Sequence, residues 1–146
     1  MGGRAQHSWV KRLAAAVGRR RRVLLLARAP ARQRALIAAL RAHRFDVHVL
    51  SNAAPALRYA LLHRPHAILV DVHPVSGGAL RMLETLRKDH WGARVPVIVH
   101  STRHDPALVL GALRAGVRDY LGAGSHPAEV AALLHARITS LRRSYG

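Results

Sequence analysis

The sequence contains no cysteine, and its 146 residues include one Phe, two Trp and three Tyr. The absence of cysteine excludes disulfide bonds, a thiol nucleophile and any zinc or iron–sulfur site built on thiolates. The scarcity of aromatic rings argues against an RNA-binding surface on which bases stack. Acidic residues are also few, at 7 against 24 basic ones, so catalysis by paired carboxylates has few candidates. Hydrophobic residues make up 50% of the chain, which is enough to bury a single core.

Long hydrophobic runs are absent as well. No stretch approaches the roughly 20 apolar residues that cross a bilayer. Near the N-terminus, Leu13–Val17 is a short apolar run that is followed by arginines. A signal peptide has a longer apolar region with its positive charge in front. We therefore expect a cytoplasmic protein without a transmembrane segment.

Positive charge is concentrated in the first 44 residues, which hold 12 of the 24 basic residues and no acidic one. We divide the chain into a basic N-terminal arm (1–21) that can form a short amphipathic helix, one domain (22–141) and a tail (142–146). A solvated arm is one interpretation. The other is weak, non-specific contact with nucleic acid or an anionic surface. The basic residues that would make this contact are Lys11, Arg12, Arg19, Arg20, Arg21 and Arg22.

Behind the arm, short apolar runs alternate with longer segments of helical periodicity. The runs predict strands at Val23–Ala27, Val47–Leu50, Ala67–Val72, Val95–His100 and Asp119–Leu121. The other segments predict helices that begin at Pro30, after the candidate N-cap Asn52, after a Gly77-Gly78 loop, after the candidate N-cap Asp105 and at Ala128, the last ending at Leu141. This alternation is typical of βαβ units, so we predict an α/β fold with a five-stranded parallel sheet and helices on both faces.

Ligands of open parallel sheets bind at the carboxyl ends of the strands. The predicted strands bring His100 and one acidic residue, Asp71, to this edge. Asp71 directly follows the apolar run Ala-Ile-Leu-Val, so its carboxylate is a candidate reactive group. The alternative is an aspartate that caps a helix or orders a loop.

Three segments resemble the receiver domain of bacterial response regulators, the phosphoacceptor part of two-component signalling and phosphorelay systems. They are Ile68–Pro74 with Gly77-Gly78, Val95–Val99 and Ala115–Leu121, and the resemblance covers roughly residues 22–140. The third is the most specific, since Ala-Gly-Val-Arg-Asp-Tyr-Leu is similar to the family's motif before its lysine. The resemblance implies a flavodoxin-like sheet with the strand order 2-1-3-4-5.

The resemblance also implies roles for individual residues. Asp71 falls on the phosphoacceptor aspartate. Ser101 and Tyr120 fall on the two switch residues, a hydroxyl that binds the phosphoryl group and an aromatic ring that turns inward. His73 falls where the family ligates Mg²⁺ through a backbone carbonyl, with Asp71 as a further ligand.

Other positions depart from the family pattern. Ala27 and Arg28 stand in place of the acidic pair that holds Mg²⁺, and Ala123 with Gly124 replaces the family's Lys-Pro. Magnesium prefers several oxygen ligands, including carboxylates, so we expect no cofactor unless phosphorylation is retained. We hypothesise that Arg28 pairs with Asp71 through two parallel hydrogen bonds. The alternative is a solvated Arg28.

These features predict a non-enzymatic, pseudo-receiver-like module that acts through protein–protein contacts and is phosphorylated weakly or not at all. The expected partner is a histidine kinase, a phosphotransfer protein or a downstream effector. A homodimer through the fourth helix, fifth strand and fifth helix is a further expectation. The alternatives are a working phosphoacceptor that relies on a cognate kinase, and a basic nucleic-acid-associated protein with a receiver fold. The eleven histidines form no dense metal-binding motif.

Overall fold

A computed structural model describes residues 20–71, 77–100, 106–122 and 125–145. Its sheet has five parallel strands in the order β2-β1-β3-β4-β5, which confirms the predicted fold. The strands are β1 (Arg21–Ala27), β2 (Phe45–Leu50), β3 (Ala67–Asp71), β4 (Val97–His100) and β5 (Asp119–Leu121). The α-helices in these ranges are α1 (Arg34–Ala42), α2 (Ala53–His63), α3 (Gly77–Lys88), α4 (Pro106–Arg114) and α5 (Pro127–Tyr145).

The helix boundaries differ from the predicted ones at several points. Pro30 begins a 3₁₀ turn, Pro30–Gln33, that leads into α1. Gly77-Gly78, predicted as a loop, forms the first turn of α3, and α5 continues beyond Leu141 to Tyr145. Glycine lowers helix propensity, but packing of the apolar face of α3 outweighs this weak local preference.

The predicted helix caps are tested at Asn52, whereas Asp105 lies outside the described residues. Asn52 has the extended backbone of an N-cap, with φ −123° and ψ 142°, but its side chain makes no capping hydrogen bond. Its backbone carbonyl accepts a hydrogen bond from Ala56 N–H at 3.1 Å. Asn52 therefore occupies the predicted N-cap position, and its backbone carbonyl accepts the first hydrogen bond of the helix.

The core lies on both faces of the sheet. All five residues of β3 and the last five of β1 are buried, and apart from Asp71 they are all apolar, as expected of strands covered on both faces. One hydrophobic cluster joins the sheet to α2, α3 and α4, and the other joins it to α1 and α5. In the second cluster the ring of Phe45 stacks on His135 with the ring centroids 4.1 Å apart.

Because all five strands are parallel, the sheet has two chemically different edges. Asp71 and His100 end their strands at the carboxyl edge, whereas Val97 and Asp119 begin theirs at the opposite, amino edge. The described helices include none that is long and apolar enough to span a membrane. Most of the basic arm lies outside the described residues, so the division into arm, domain and tail stays a prediction.

Candidate functional site

Asp71 lies at the carboxyl edge of the sheet, in the central strand of the five. It is the last residue of β3 and is 4% exposed, the one buried charged residue of the described chain. Strand β1 places Ala27 directly beside it in the parallel register. Burial of a carboxylate is costly unless the group has hydrogen-bond or charge partners, so the neighbours of Asp71 decide its chemistry.

His100 is the partner of the Asp71 carboxylate. In the register of β3 with β4, Val70 pairs with Val99, so the next residue of each strand lies at the same edge. Nδ1 of His100 is 3.3 Å from Oδ2 of Asp71, and the two side chains are 12% and 3% exposed. A neutral imidazole with its proton on Nδ1 donates a hydrogen bond to the carboxylate, and an imidazolium adds a positive charge.

The sequence places His100 at the correct edge but gives it no role. The signal that identifies it is the register: two buried parallel strands that end level with each other bring their last side chains together. Sequence periodicity alone does not fix this register.

The structure does not join Arg28 to Asp71 as hypothesised. Arg28 follows the end of β1 and is exposed, and within the described part of the chain it forms no ion pair with Asp71. Successive side chains of a strand point to opposite faces. Ala27 is the register neighbour of Asp71, and Arg28 lies one residue beyond that pair, past the end of β1.

The described residues do not make a magnesium site of the kind the resemblance implies. They contain no group of three or more His, Asp or Glu side chains that could hold a metal ion. At the carboxyl edge, Asp71 has the methyl group of Ala27 on one side and an imidazole on the other. Magnesium favours oxygen ligands in an octahedral arrangement, and an imidazole nitrogen is a poor substitute for the missing carboxylates.

Of the two predicted switch residues, the structure describes one. Tyr120 lies in β5 opposite Val99 of β4 and is half-buried, with its ring packed against the hydrophobic cluster on the α2–α4 face. Ser101 lies outside the described residues, as do His73, Ala123 and Gly124. The roles of the predicted pair therefore stay predictions.

Three of the six basic residues assigned to anion contact are described, and all three bind within the fold. Arg20 donates to the carbonyl of Arg41 at 3.1 Å. Arg21 donates to His135 Nδ1 at 3.0 Å, to the His135 carbonyl at 3.2 Å and to Thr139 Oγ1 at 3.1 Å.

Arg22 binds the carbonyls that end α2. Its guanidinium donates to the carbonyl of His63 at 2.6 Å and to that of Arg64 at 3.2 Å. A cation at a helix C-terminus interacts favourably with the helix dipole. Lys11, Arg12 and Arg19 lie outside the described residues.

Comparisons with known proteins converge on one family. No family model matches the chain. The DNA-binding response regulator MtrA of Mycolicibacterium smegmatis is 27% identical over 119 residues, which cover 82% of this chain and 51% of that protein. The chain thus spans about half the length of this relative.

The chain spans nearly the full length of the solved structures that it resembles. The receiver domain of sensor histidine kinase PA1611 from Pseudomonas aeruginosa PAO1 is 27% identical, with a TM-score of 0.72 over 82% of this chain and 98% of that one. By these similarities the chain resembles the receiver domains of response regulators. A CheY-like receiver domain from Methanospirillum hungatei has a TM-score of 0.75 over 86% of this chain and 98% of its own; at 14% identity it supports the fold alone.

The comparisons support the resemblance to receiver domains of two-component systems, and they confirm the flavodoxin-like fold. The PA1611 structure contains a magnesium ion coordinated in the active-site cleft. In the present chain, Ala27, Arg28 and His100 lie at or just beyond the carboxyl edge of the sheet next to Asp71. None of these three residues has a carboxylate.

Proposed function

We propose that this receiver domain acts as a signalling module through protein–protein contacts, with Asp71 as a nominal phosphoacceptor that is phosphorylated weakly or not at all. The observation that carries the proposal is the pairing of Asp71 with His100 beside Ala27. The carboxylate is in place at the carboxyl edge, but its described neighbours lack the second carboxylate that a magnesium site needs.

The chemistry of phosphoryl transfer explains why this arrangement disfavours reaction. A carboxylate oxygen must approach the phosphorus of an anionic donor while the leaving group departs with its electron pair. Positive charge and exact positioning lower this barrier. When its Nδ1 carries a proton, His100 donates that N–H to an oxygen of the nucleophile itself. The hydrogen bond stabilises the carboxylate before the reaction and thereby reduces its reactivity.

Intact-mass spectrometry tests this proposal directly. The full chain is incubated with acetyl phosphate and Mg²⁺, with Asp71→Asn as the matched control. We expect no phosphoryl adduct on either protein, or an adduct on a small fraction of the parent that Asp71→Asn lacks. An adduct on most of the parent and none on Asp71→Asn would overturn the proposed weak phosphorylation.

A working phosphoacceptor is the second candidate, and the position of Asp71 favours it. The residue ends the central strand at the edge where receiver domains bind phosphate donors, and it is buried rather than solvated. A cognate histidine kinase or phosphotransfer protein would then supply the missing groups. Incubation with a panel of phosphorylated donor proteins distinguishes the two candidates, because only this one expects an Asp71-dependent adduct.

The contacts themselves are tested by separating the domain from its modification. We expect Asp71→Asn to retain every protein partner that the parent captures, because the proposed contacts do not require the phosphoryl group. Loss of the captured partner in Asp71→Asn, with unchanged folding, would overturn this part of the proposal.

A further inference from the structure

We propose that a basic groove at the amino edge of the sheet binds an acidic, amphipathic segment of a partner protein. The basic groove is a cavity of about 880 Å³ between the starts of β4 and β5 and the ends of α3 and α4, closed on one side by α5. It lies at the opposite end of the strands from Asp71. The inference rests on the proposed function, since it specifies the chemistry of one protein contact.

Four arginines line the basic groove: Arg87, Arg94, Arg118 and Arg137. Its one acidic lining residue is Asp119, whose carboxylate accepts two parallel hydrogen bonds from the Arg137 guanidinium, at 2.9 Å from Nε and 2.8 Å from a terminal nitrogen. Within the described part of the chain, neither Arg87 nor Arg118 forms an ion pair with a carboxylate. Charges of one sign that line a cleft focus the field and attract oppositely charged ligands.

Arg87 and Arg118 show that this charge is poorly compensated. The half-buried Arg87 guanidinium donates to the carbonyls of Gly92 at 2.9 Å and Val95 at 3.0 Å, which holds it in place. Burial and then the nearby charge of Arg118 lower the pKa of Arg87. A carboxylate bound between the two guanidinium groups would offset their repulsion.

The groove also has an apolar component. Leu113 of α4, Val117 and Leu141 of α5 line it beside the arginines. Leu113 is 58% exposed, and Leu110, one turn earlier on α4, is 49% exposed. Exposed leucines next to arginines fit a ligand that carries both apolar side chains and carboxylates.

This mixture favours a polypeptide over nucleic acid. The groove is lined by fourteen residues, all of them described, and none is aromatic. Single-stranded nucleic acid depends on aromatic rings for stacking. The Arg137–Asp119 pair, in contrast, shows that the groove accommodates a carboxylate in the two-pronged geometry typical of arginine.

The test measures the fluorescence anisotropy of a labelled synthetic helix that has Glu and Leu on adjacent faces, with the full chain as receptor. The control peptide has every Glu replaced by Gln. Arg118→Glu reverses a charge in the groove, whereas Arg58→Glu makes the same change at an exposed position of α2 outside it. We expect Arg118→Glu to weaken peptide binding about tenfold, because an attractive pair between Arg118 and a peptide carboxylate becomes a repulsive one. Arg58→Glu should weaken it less than about twofold, because this residue lies outside the groove.

Four results would overturn the proposal: no binding of the Glu peptide at low salt, equal binding of the Gln peptide, equal effects of the two charge reversals, or tighter binding of oligothymidylate with the same dependence on Arg118. The last would identify a nucleic-acid surface. Arg118→Gln, which keeps the size and polarity of the side chain, should weaken binding by less than Arg118→Glu. The binding assay contains no phosphodonor, and Asp71→Asn should bind the peptide as the parent does. Failure of the peptide to bind is therefore distinguishable from failure of the proposed function.

Discussion

Nδ1 of His100 lies 3.3 Å from Oδ2 of Asp71, where two neighbouring parallel strands end and both side chains are withdrawn from solvent. The family resemblance points to an acidic pair and a lysine around this aspartate. Among the described residues, the partner of the Asp71 carboxylate is the imidazole of His100. The stability of the domain and the reactivity of its aspartate are therefore linked through one contact.

Substitution of His100 by Leu should lower the free energy of unfolding by about 1–3 kcal/mol, because it leaves the buried Asp71 carboxylate without its donor. In the Asp71→Asn background the same substitution should cost less, since an amide is cheaper to leave unpaired than a carboxylate. Urea unfolding of the four proteins of this double-mutant cycle measures the difference. Equal costs in both backgrounds would show that the contact contributes nothing specific.

A second carboxylate beside Asp71 should create a dependence on magnesium. Ala27→Asp places two negative charges at neighbouring register positions. In EDTA we expect the free energy of unfolding to fall by about 1–3 kcal/mol because the two carboxylates repel each other. Binding of Mg²⁺ between them should partly restore Tm. Ala27→Asn has the same size without the charge.

The parent and Ala27→Asn should show no change of Tm with Mg²⁺ in the same thermal scans. A similar recovery in Ala27→Asn would mean that the ion acts elsewhere on the protein. A recovery in the parent would mean that the residues already present hold magnesium.

Arg21 and Arg20 have equal charge but should contribute differently to the stability of the protein. Arg21→Met removes three hydrogen bonds that connect β1 to α5, and should cost about 1–2 kcal/mol. Arg20→Met removes one exposed hydrogen bond and should stay within about 0.5 kcal/mol of the parent. Denaturant unfolding compares the two, and equal losses would contradict a structural role for Arg21.

Gly92 should tolerate no side chain. A Cβ at this position would overlap the backbone carbonyl of Leu86, which cannot move without disturbing the end of α3. We expect Gly92→Ala to cost about 1–3 kcal/mol, as overpacking does. A Cβ on Gly122 meets nothing within 4 Å, so Gly122→Ala is the matched control and should be nearly neutral. Thermal unfolding of the two variants tests the contrast.

The fold could be predicted from the sequence because its strands are buried apolar runs separated by helical segments. Few fold classes are compatible with this pattern. Asp71 could be located for the same reason, since it directly follows the run of β3. Arg28 could not be placed in advance. Its distance from Asp71 depends on where β1 ends and on which side of the strand the next side chain leaves, and an error of one residue reverses the answer.

The arginines illustrate a second limit of sequence reasoning. Arg21 and Arg22 belong to a continuous basic run, and composition alone does not distinguish a solvated charge from a structural one. Their acceptors are carbonyls, a hydroxyl and a ring that are distant in sequence, among them groups of His63, His135 and Thr139. The basic groove could not be predicted from the sequence for the same reason: its lining residues come from five separate helices and strands and from the loops that join them.

Strand β4 extends from one functional edge of the sheet to the other. Its first residue, Val97, lines the basic groove, and its last, His100, contacts Asp71; at about 3.3 Å per residue the two lie on the order of 10 Å apart. A displacement of this strand along its axis therefore moves both Val97 in the groove and His100 beside Asp71. Thermodynamic reciprocity then requires that, if an occupant of the groove alters the affinity of the Asp71 edge for an anion, the anion alters the affinity of the groove by the same factor.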